Sequence, residues 1–150
     1  MVPKFIGNNH TGKGLRSNMK TLSNSQLAYL GLRLAFGLSI LVHGAVRVPK
    51  LAAFANGMSS QFDGSLLAGF PSLAFAYAIP FLEAGVGLTL LLGGRFIRWG
   101  AFTGCLLMGG IMFGTGMLEK WELLPSQLIH LGLFYAVLMN PHTPDNKNAG

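Results

Sequence analysis

Long apolar segments separated by short polar ones dominate the pattern of this chain. Four such segments cover residues 27–46, 73–93, 99–118 and 123–139. A helix needs about 20 mostly apolar residues to cross a hydrocarbon layer about 30 Å thick, and it satisfies its own backbone hydrogen bonds there. The pattern therefore predicts an all-α integral membrane protein, in which residues 27–140 form a four-helix bundle.

The longest connection, residues 47–72, has a helical pattern of its own. Leu51, Phe54, Ala55 and Met58 follow the spacing of one helix face. Because loops of this length usually carry structure or function, we expect a short interfacial helix in this first outer loop, capping the bundle; a plain linker is the alternative. The ends of the chain form a basic polar tail, residues 1–26, and a polar tail, residues 141–150.

The composition supports the membrane assignment. Charged residues make up 11% of the chain, against about 25% in typical soluble domains. The net charge of +6 comes mainly from the N-terminal tail and the connections, without the interleaved aromatic residues of a nucleic-acid-binding surface. We therefore expect lipids and other membrane or membrane-associated subunits as partners, and no nucleic acid.

Lysine and arginine predict the orientation. Seven of them fall on the side that carries both termini: Lys4, Lys13, Arg16, Lys20, Arg95, Arg98 and Lys147. Three fall on the opposite side: Arg47, Lys50 and Lys120. Because positive residues accumulate inside, both termini are predicted to be cytoplasmic in a bacterial inner membrane. A mitochondrial inner membrane is the alternative, since the N-terminal tail lacks acidic residues, as transit peptides do.

Ionisable residues inside the apolar segments are the candidate functional residues. Arg33 and Glu83 are both expected near mid-membrane, where an unpaired charge costs several kcal/mol, so we predict a structural ion pair between them. His43 and His130 lie nearer the outer face, with Arg47 one helical turn beyond His43. We therefore expect His43, Arg47, Glu83 and His130 to line one inward cavity as ligand-binding or proton-handling residues. Simple helix registration or packing is the alternative for each.

Cofactor chemistry has little support in the sequence. Cys105 is the single cysteine, so the chain has no Cys-x-x-Cys motif, intrachain disulfide or cysteine-based metal site. Two histidines on facing helices can bind a haem, but two histidines without any further pattern do not indicate haem b. The sequence predicts no catalytic residue, no metal site and no covalently bound cofactor; a bound quinone remains open.

The order of these residues resembles the DoxX-like family of small four-helix membrane proteins. The resemblance rests on "LRLAFGLSILVHGAVRV" and, after the outer loop, on "PFLEAGVGLTLLLGGRFIRWGAF". Carried over position by position, the family's polar residues are Arg33, His43, Arg47, Glu83 and Arg98. An arginine stands at position 47 where members of the family often carry lysine.

The resemblance implies a redox-associated membrane subunit, because relatives include a subunit of a thiosulfate:quinone oxidoreductase and membrane partners of thiol or superoxide stress enzymes. Two functions remain open. In the first, the cavity binds a quinone, with His43 or Arg33 donating to a carbonyl oxygen and Glu83 relaying protons. In the second, the chain is a cofactor-free accessory subunit that stabilises a larger respiratory or redox complex. Under either function it is at most a non-catalytic or quinone-site subunit of an oxidoreductase.

Overall fold

Five α-helices form the described part of the protein. The computed structural model describes residues 22–144, and every regular element in that range is helical. The helices are α1 (Asn24–Ala45), α2 (Leu51–Ser59), α3 (Phe70–Leu92), α4 (Phe96–Met117) and α5 (Leu124–Met139), with short 3₁₀ turns beside α2 and before α5.

Four of the helices are long and apolar enough to cross a membrane. The four candidate spans contain α1, α3, α4 and α5, which confirms the predicted four-helix architecture. The chain is an integral membrane protein, and its many exposed leucine, phenylalanine and tryptophan side chains are those expected of helices that face lipid.

The bundle is built around α3, which packs against α1 on one side and α4 on the other. Helix α5 packs on α4 and makes few contacts with α1, so a seam separates α1 from α5. We name the two ends of the bundle by what they carry. The α2 end is where α1 stops and α5 starts, and the termini end is where α1 starts and α5 stops.

The predicted short helix in the first long connection is confirmed as α2. It packs on α3, with Ala55 fully buried and with Phe54 and Met58 against the core. A hydrogen bond of 2.7 Å between the hydroxyls of Ser59 and Ser72 joins the end of α2 to the first turn of α3. The connection therefore covers the α2 end of the bundle.

Helix α1 begins at Asn24, three residues before the predicted boundary at residue 27. The physical reason is a capping box, in which the Ser23 hydroxyl accepts from the backbone N–H of Gln26 and the Gln26 side chain accepts from the backbone N–H of Ser23. Most of the predicted N-terminal tail, residues 1–21, lies outside the described residues.

The start of the predicted C-terminal tail packs against α1 at the termini end. The hydroxyls of Tyr29 and Thr143 lie 2.7 Å apart, and His142 Nε2 lies 3.3 Å from the Ser25 hydroxyl. These contacts close the α1–α5 seam at this end. The rest of the tail, residues 145–150, lies outside the described residues.

The backbones of α1 and α3 touch at two glycines. A Cβ atom added to Gly44 would lie 2.3 Å from the Pro80 carbonyl oxygen and 2.5 Å from the Ala84 nitrogen. A Cβ atom added to Gly87 would lie 2.3 Å from the Leu41 nitrogen. Small residues allow this approach in lipid, where packing drives helix association. The contact places the end of α1 directly against the middle of α3.

Replacing Gly44 by alanine tests this contact. We expect Gly44→Ala to force α1 away from α3 and to lower the free energy of unfolding by about 1–3 kcal/mol, the usual cost of overpacking. The matched control is Gly31→Ala in the same helix, where an added Cβ meets nothing within 4 Å. That control should be neutral, or stabilising by up to about 1 kcal/mol, because alanine favours a helix. Equal stability of the two variants in detergent unfolding would contradict the assigned contact.

Single cysteines test the predicted orientation. In a Cys105→Ala background, cysteines placed at Asn8, Ser60 and Asn146 are treated in intact cells with a thiol reagent that does not cross membranes. Ser60 lies in the turn after α2, while the other two positions lie outside the described residues. We expect labelling at Ser60 alone, since the distribution of positive residues predicts that both termini lie inside. Labelling at Asn8 would show that the predicted orientation is wrong.

Candidate functional site

A cavity of about 290 Å³ lies near the α2 end and touches all five helices. The structure brings the four predicted site residues together around it: His43 in the last turn of α1, Arg47 just beyond that helix, Glu83 in α3 and His130 in α5. Apolar side chains of α1, α2, α3 and α4, together with Ser126 and Gln127 of α5, complete the lining. We call this space the polar cavity.

A salt bridge between Arg47 and Glu83 crosses the polar cavity. Arg47 Nη1 donates to Glu83 Oε2, and the guanidinium also stacks over the Phe54 ring, with 4.9 Å from its carbon to the ring centroid. Glu83 is buried, with 8% of its side chain exposed, against 27% for Arg47. Arginine thus neutralises a carboxylate that would otherwise be a costly isolated charge among apolar helices.

The predicted ion pair between Arg33 and Glu83 is wrong. The Arg33 guanidinium lies beside Gly93, where an added Cβ atom would be 2.7 Å from its Nη1. Gly93 caps α3, ten residues beyond Glu83, or about 15 Å along the axis. The carbonyl groups at a helix C-terminus carry partial negative charge, which favours a guanidinium at this end of α3, although Arg33 Nε is itself buried without a hydrogen-bond partner among residues 22–144. Glu83 pairs with Arg47 instead.

The remaining position implied by the family resemblance, Arg98, also lies away from the cavity. It occupies the first turn of α4, at the termini end, where it borders a separate hollow with Trp99 and residues that follow α5. Arg33 and Arg98 therefore belong to the termini end of the protein, and Arg47 is the cavity's arginine.

Both cavity histidines have one ring nitrogen already committed. Nδ1 of His43 lies 2.8 Å from the Ser39 carbonyl oxygen, and Nδ1 of His130 lies 2.7 Å from the Ser126 carbonyl oxygen. A carbonyl oxygen only accepts, so Nδ1 carries the proton in each ring, and Nε2 of the neutral ring is an acceptor. In this tautomer the single N–H of a neutral His43 is already used by the Ser39 carbonyl oxygen.

The structure adds Gln127 to the site, a residue absent from the predicted set. Its Nε2 donates to the Thr115 hydroxyl at 2.8 Å, while its buried Oε1 has no hydrogen-bond partner within residues 22–144. Gln127 lines the polar cavity with His130. The signal was available in the sequence, since residues three apart on a helix share a face.

A second cavity, of about 390 Å³, adjoins the polar cavity. Met58, Ile111 and Gln127 line both spaces, and most other residues around the second one are apolar. We call it the apolar cavity. The two spaces together form a site with one charged, hydrogen-bonding compartment and one hydrocarbon-like compartment.

The α1–α5 seam runs beside the polar cavity. Phe36 and Phe134 close it at mid-depth, with ring centroids 4.6 Å apart in an edge-to-face arrangement. Closer to the α2 end, His43 and His130 face each other with ring centroids 6.3 Å apart. His43 is exposed and His130 is half-buried, so the cavity's histidines are also the side chains that border the seam.

No protein-family model, curated protein or solved structure matches the chain. Within residues 22–144, no group of three or more histidine, cysteine, aspartate or glutamate side chains is placed to hold a metal ion.

A double-mutant cycle tests the salt bridge. Arg47→Met strands a buried carboxylate and should lower the free energy of unfolding by about 3 kcal/mol, the lower end for breaking a buried pair. Glu83→Gln should cost less, because the partly exposed Arg47 can turn toward the surface. The double variant should recover part of the loss, measured by unfolding in detergent.

The matched control for this cycle replaces Arg47→Met with Arg33→Met. Because Arg33 lies beside Gly93, its effect should add to that of Glu83→Gln, as for residues without shared partners. Coupling of Glu83 to Arg33 with no coupling to Arg47 would contradict the structure.

Proposed function

We propose that this protein is the membrane-embedded, non-catalytic subunit of a redox complex, and that its paired cavities bind a lipid-soluble quinone or the corresponding hydroquinone. The observation that carries the proposal is the convergence of a salt bridge and two histidines on one cavity inside a bundle of apolar helices. Polar groups at membrane depth are costly and mark functional pathways or ligand sites by default.

The polar cavity suits the ring of such a molecule. Small-molecule sites are concave, mainly apolar and furnished with a few well-placed polar groups that fix orientation. Here, Arg47 supplies a cation, while His43 of α1 and His130 of α5 supply ring nitrogens. The oxygen atoms of a quinone ring can accept from Arg47, and the hydroxyl groups of a hydroquinone can in addition donate to a histidine Nε2.

The apolar cavity suits the hydrocarbon chain. It is the larger of the two spaces, and it shares a wall with the polar cavity at Met58, Ile111 and Gln127. A ligand with a polar ring and an apolar chain can therefore occupy both compartments, with each part in matching surroundings.

The seam offers a route from the lipid. Helices α1 and α5 make few contacts with each other, and between the Phe36–Phe134 contact and the α2 end their facing side chains are histidines. A lipid-soluble molecule can enter sideways at this level without passing through the aqueous phase.

The redox part of the proposal is supported by the resemblance to the DoxX-like family. The sequence has no cysteine pair or nucleotide-binding loop, so the proposal assigns electron transfer to a partner subunit. This chain would hold and orient the lipid-soluble molecule.

Purification in mild detergent tests the proposal. We expect about one quinone-type molecule per chain in the lipid extract, together with a partner subunit found by mass spectrometry. A visible absorption spectrum of the same sample tests the haem alternative. A stable assembly that contains no quinone or hydroquinone would support the accessory-subunit function instead.

Replacing His43 tests the cavity within the complex. His43→Gln should leave the yield on a native gel unchanged and lower quinone-dependent electron transfer about tenfold, equivalent to about 1.4 kcal/mol, or roughly one hydrogen bond. The matched control is His142→Gln at the termini end, where the ring contacts Tyr29 and Ser25. Normal electron transfer in the His43 variant would remove this residue from the site, and loss of yield alone would make it structural.

A further inference from the structure

We propose that the polar cavity selects the hydroxyl-bearing, reduced form of its ligand over the carbonyl form. The inference rests on the proposed function, since it concerns the same cavity, and it names the chemical form that the cavity recognises. It follows from the direction of the hydrogen bonds that the cavity residues already make.

Three free polar atoms at the cavity are acceptors. Nε2 of His43 and Nε2 of His130 are acceptors in the neutral rings, because Nδ1 of each donates to a backbone carbonyl. Oε1 of Gln127 is an amide oxygen, is buried, and has no partner among the described residues. An occupant with no hydrogen-bond donor makes no hydrogen bond to any of the three, and it leaves the buried Oε1 of Gln127 unpaired.

The donor at the cavity is Arg47. A guanidinium has five N–H groups, and one of its nitrogens, Nη1, donates to Glu83. The remaining N–H groups can donate to a ligand oxygen. The site thus combines one charged donor with several neutral acceptors, and these sit on three different segments of the chain.

A hydroxyl group matches this arrangement, whereas a carbonyl group does not. The hydroxyl oxygen accepts from Arg47 while its hydrogen is donated to a histidine nitrogen or to Gln127 Oε1. A carbonyl oxygen accepts from Arg47 and offers no hydrogen. Because leaving a buried acceptor such as Gln127 Oε1 unpaired costs more than a typical hydrogen bond gains, the cavity should favour the hydroxyl form.

Binding of three related probes tests the inference. The complete chain, in detergent and without oxygen, is titrated with a decyl-substituted hydroquinone, with the corresponding quinone and with the dimethyl ether of the hydroquinone. We expect the hydroquinone to bind about tenfold more tightly than the other two. The ether separates loss of the donor from a change in ring size or chain length, since it keeps the ring and the chain.

The outcomes separate this inference from the proposed function. Equal or tighter binding of the quinone overturns the selection for hydroxyl groups and leaves the quinone-type site in place. Binding of none of the three probes overturns the proposed function, and this inference with it.

Two variants locate the acceptors. His130→Phe keeps a ring but removes Nε2, and it should lower hydroquinone affinity severalfold, toward that of the quinone, while quinone affinity stays unchanged. His142→Phe, which makes the same exchange at the termini end, should change neither affinity. If the His130 variant does not fold, Gln127→Met removes a second acceptor at similar side-chain length and should reduce the preference in the same direction. If the two variants fold and neither reduces the preference for the hydroquinone, the inference is overturned.

Discussion

The close backbone contact between α1 and α3 is the constraint on which the site depends. At Gly44 and Gly87 the two helices approach so closely that a single added carbon would overlap backbone atoms of the opposite helix. This contact fixes the end of α1 beside Pro80 and Ala84, one residue from Glu83. Arg47, which follows one turn later, can then reach the carboxylate from beyond the end of its own helix.

Both opposite charges and helix ends help to explain where the charged side chains of the protein lie. Glu83 lies in the middle of α3 and needs a cation, which Arg47 supplies while it stacks on Phe54 of α2. Arg33 has no carboxylate partner among the described residues and lies at the C-terminal end of α3, where backbone carbonyls provide the negative potential. Arg33 and Arg47, in α1 and just beyond it, thus lie at opposite ends of the bundle.

Most of the fold and most residues that line the polar cavity can be predicted from the sequence, but the salt bridge within the cavity cannot. Apolar segment length predicts the four spanning helices, the spacing of Phe54, Ala55 and Met58 predicts α2, and the positions of His43, Glu83 and His130 predict residues that do line one cavity. The predicted ion pair between Arg33 and Glu83 was wrong because depth was counted only within each helix, whereas the actual partner of Glu83, Arg47, lies just beyond the end of α1. The capping box that starts α1 at Asn24 was readable, as Ser23 followed by Gln26 three residues later.

The chemical character of the cavity depends on a local feature that residue type alone does not reveal. Histidine can donate or accept, and which role it takes depends on the partner of its other nitrogen. Here each ring binds the carbonyl of a serine four residues earlier on its own helix, Ser39 in α1 and Ser126 in α5. In their neutral rings the two histidines therefore act as acceptors at Nε2, and this is why the ligand we propose is one that donates hydrogen bonds as well as accepting them.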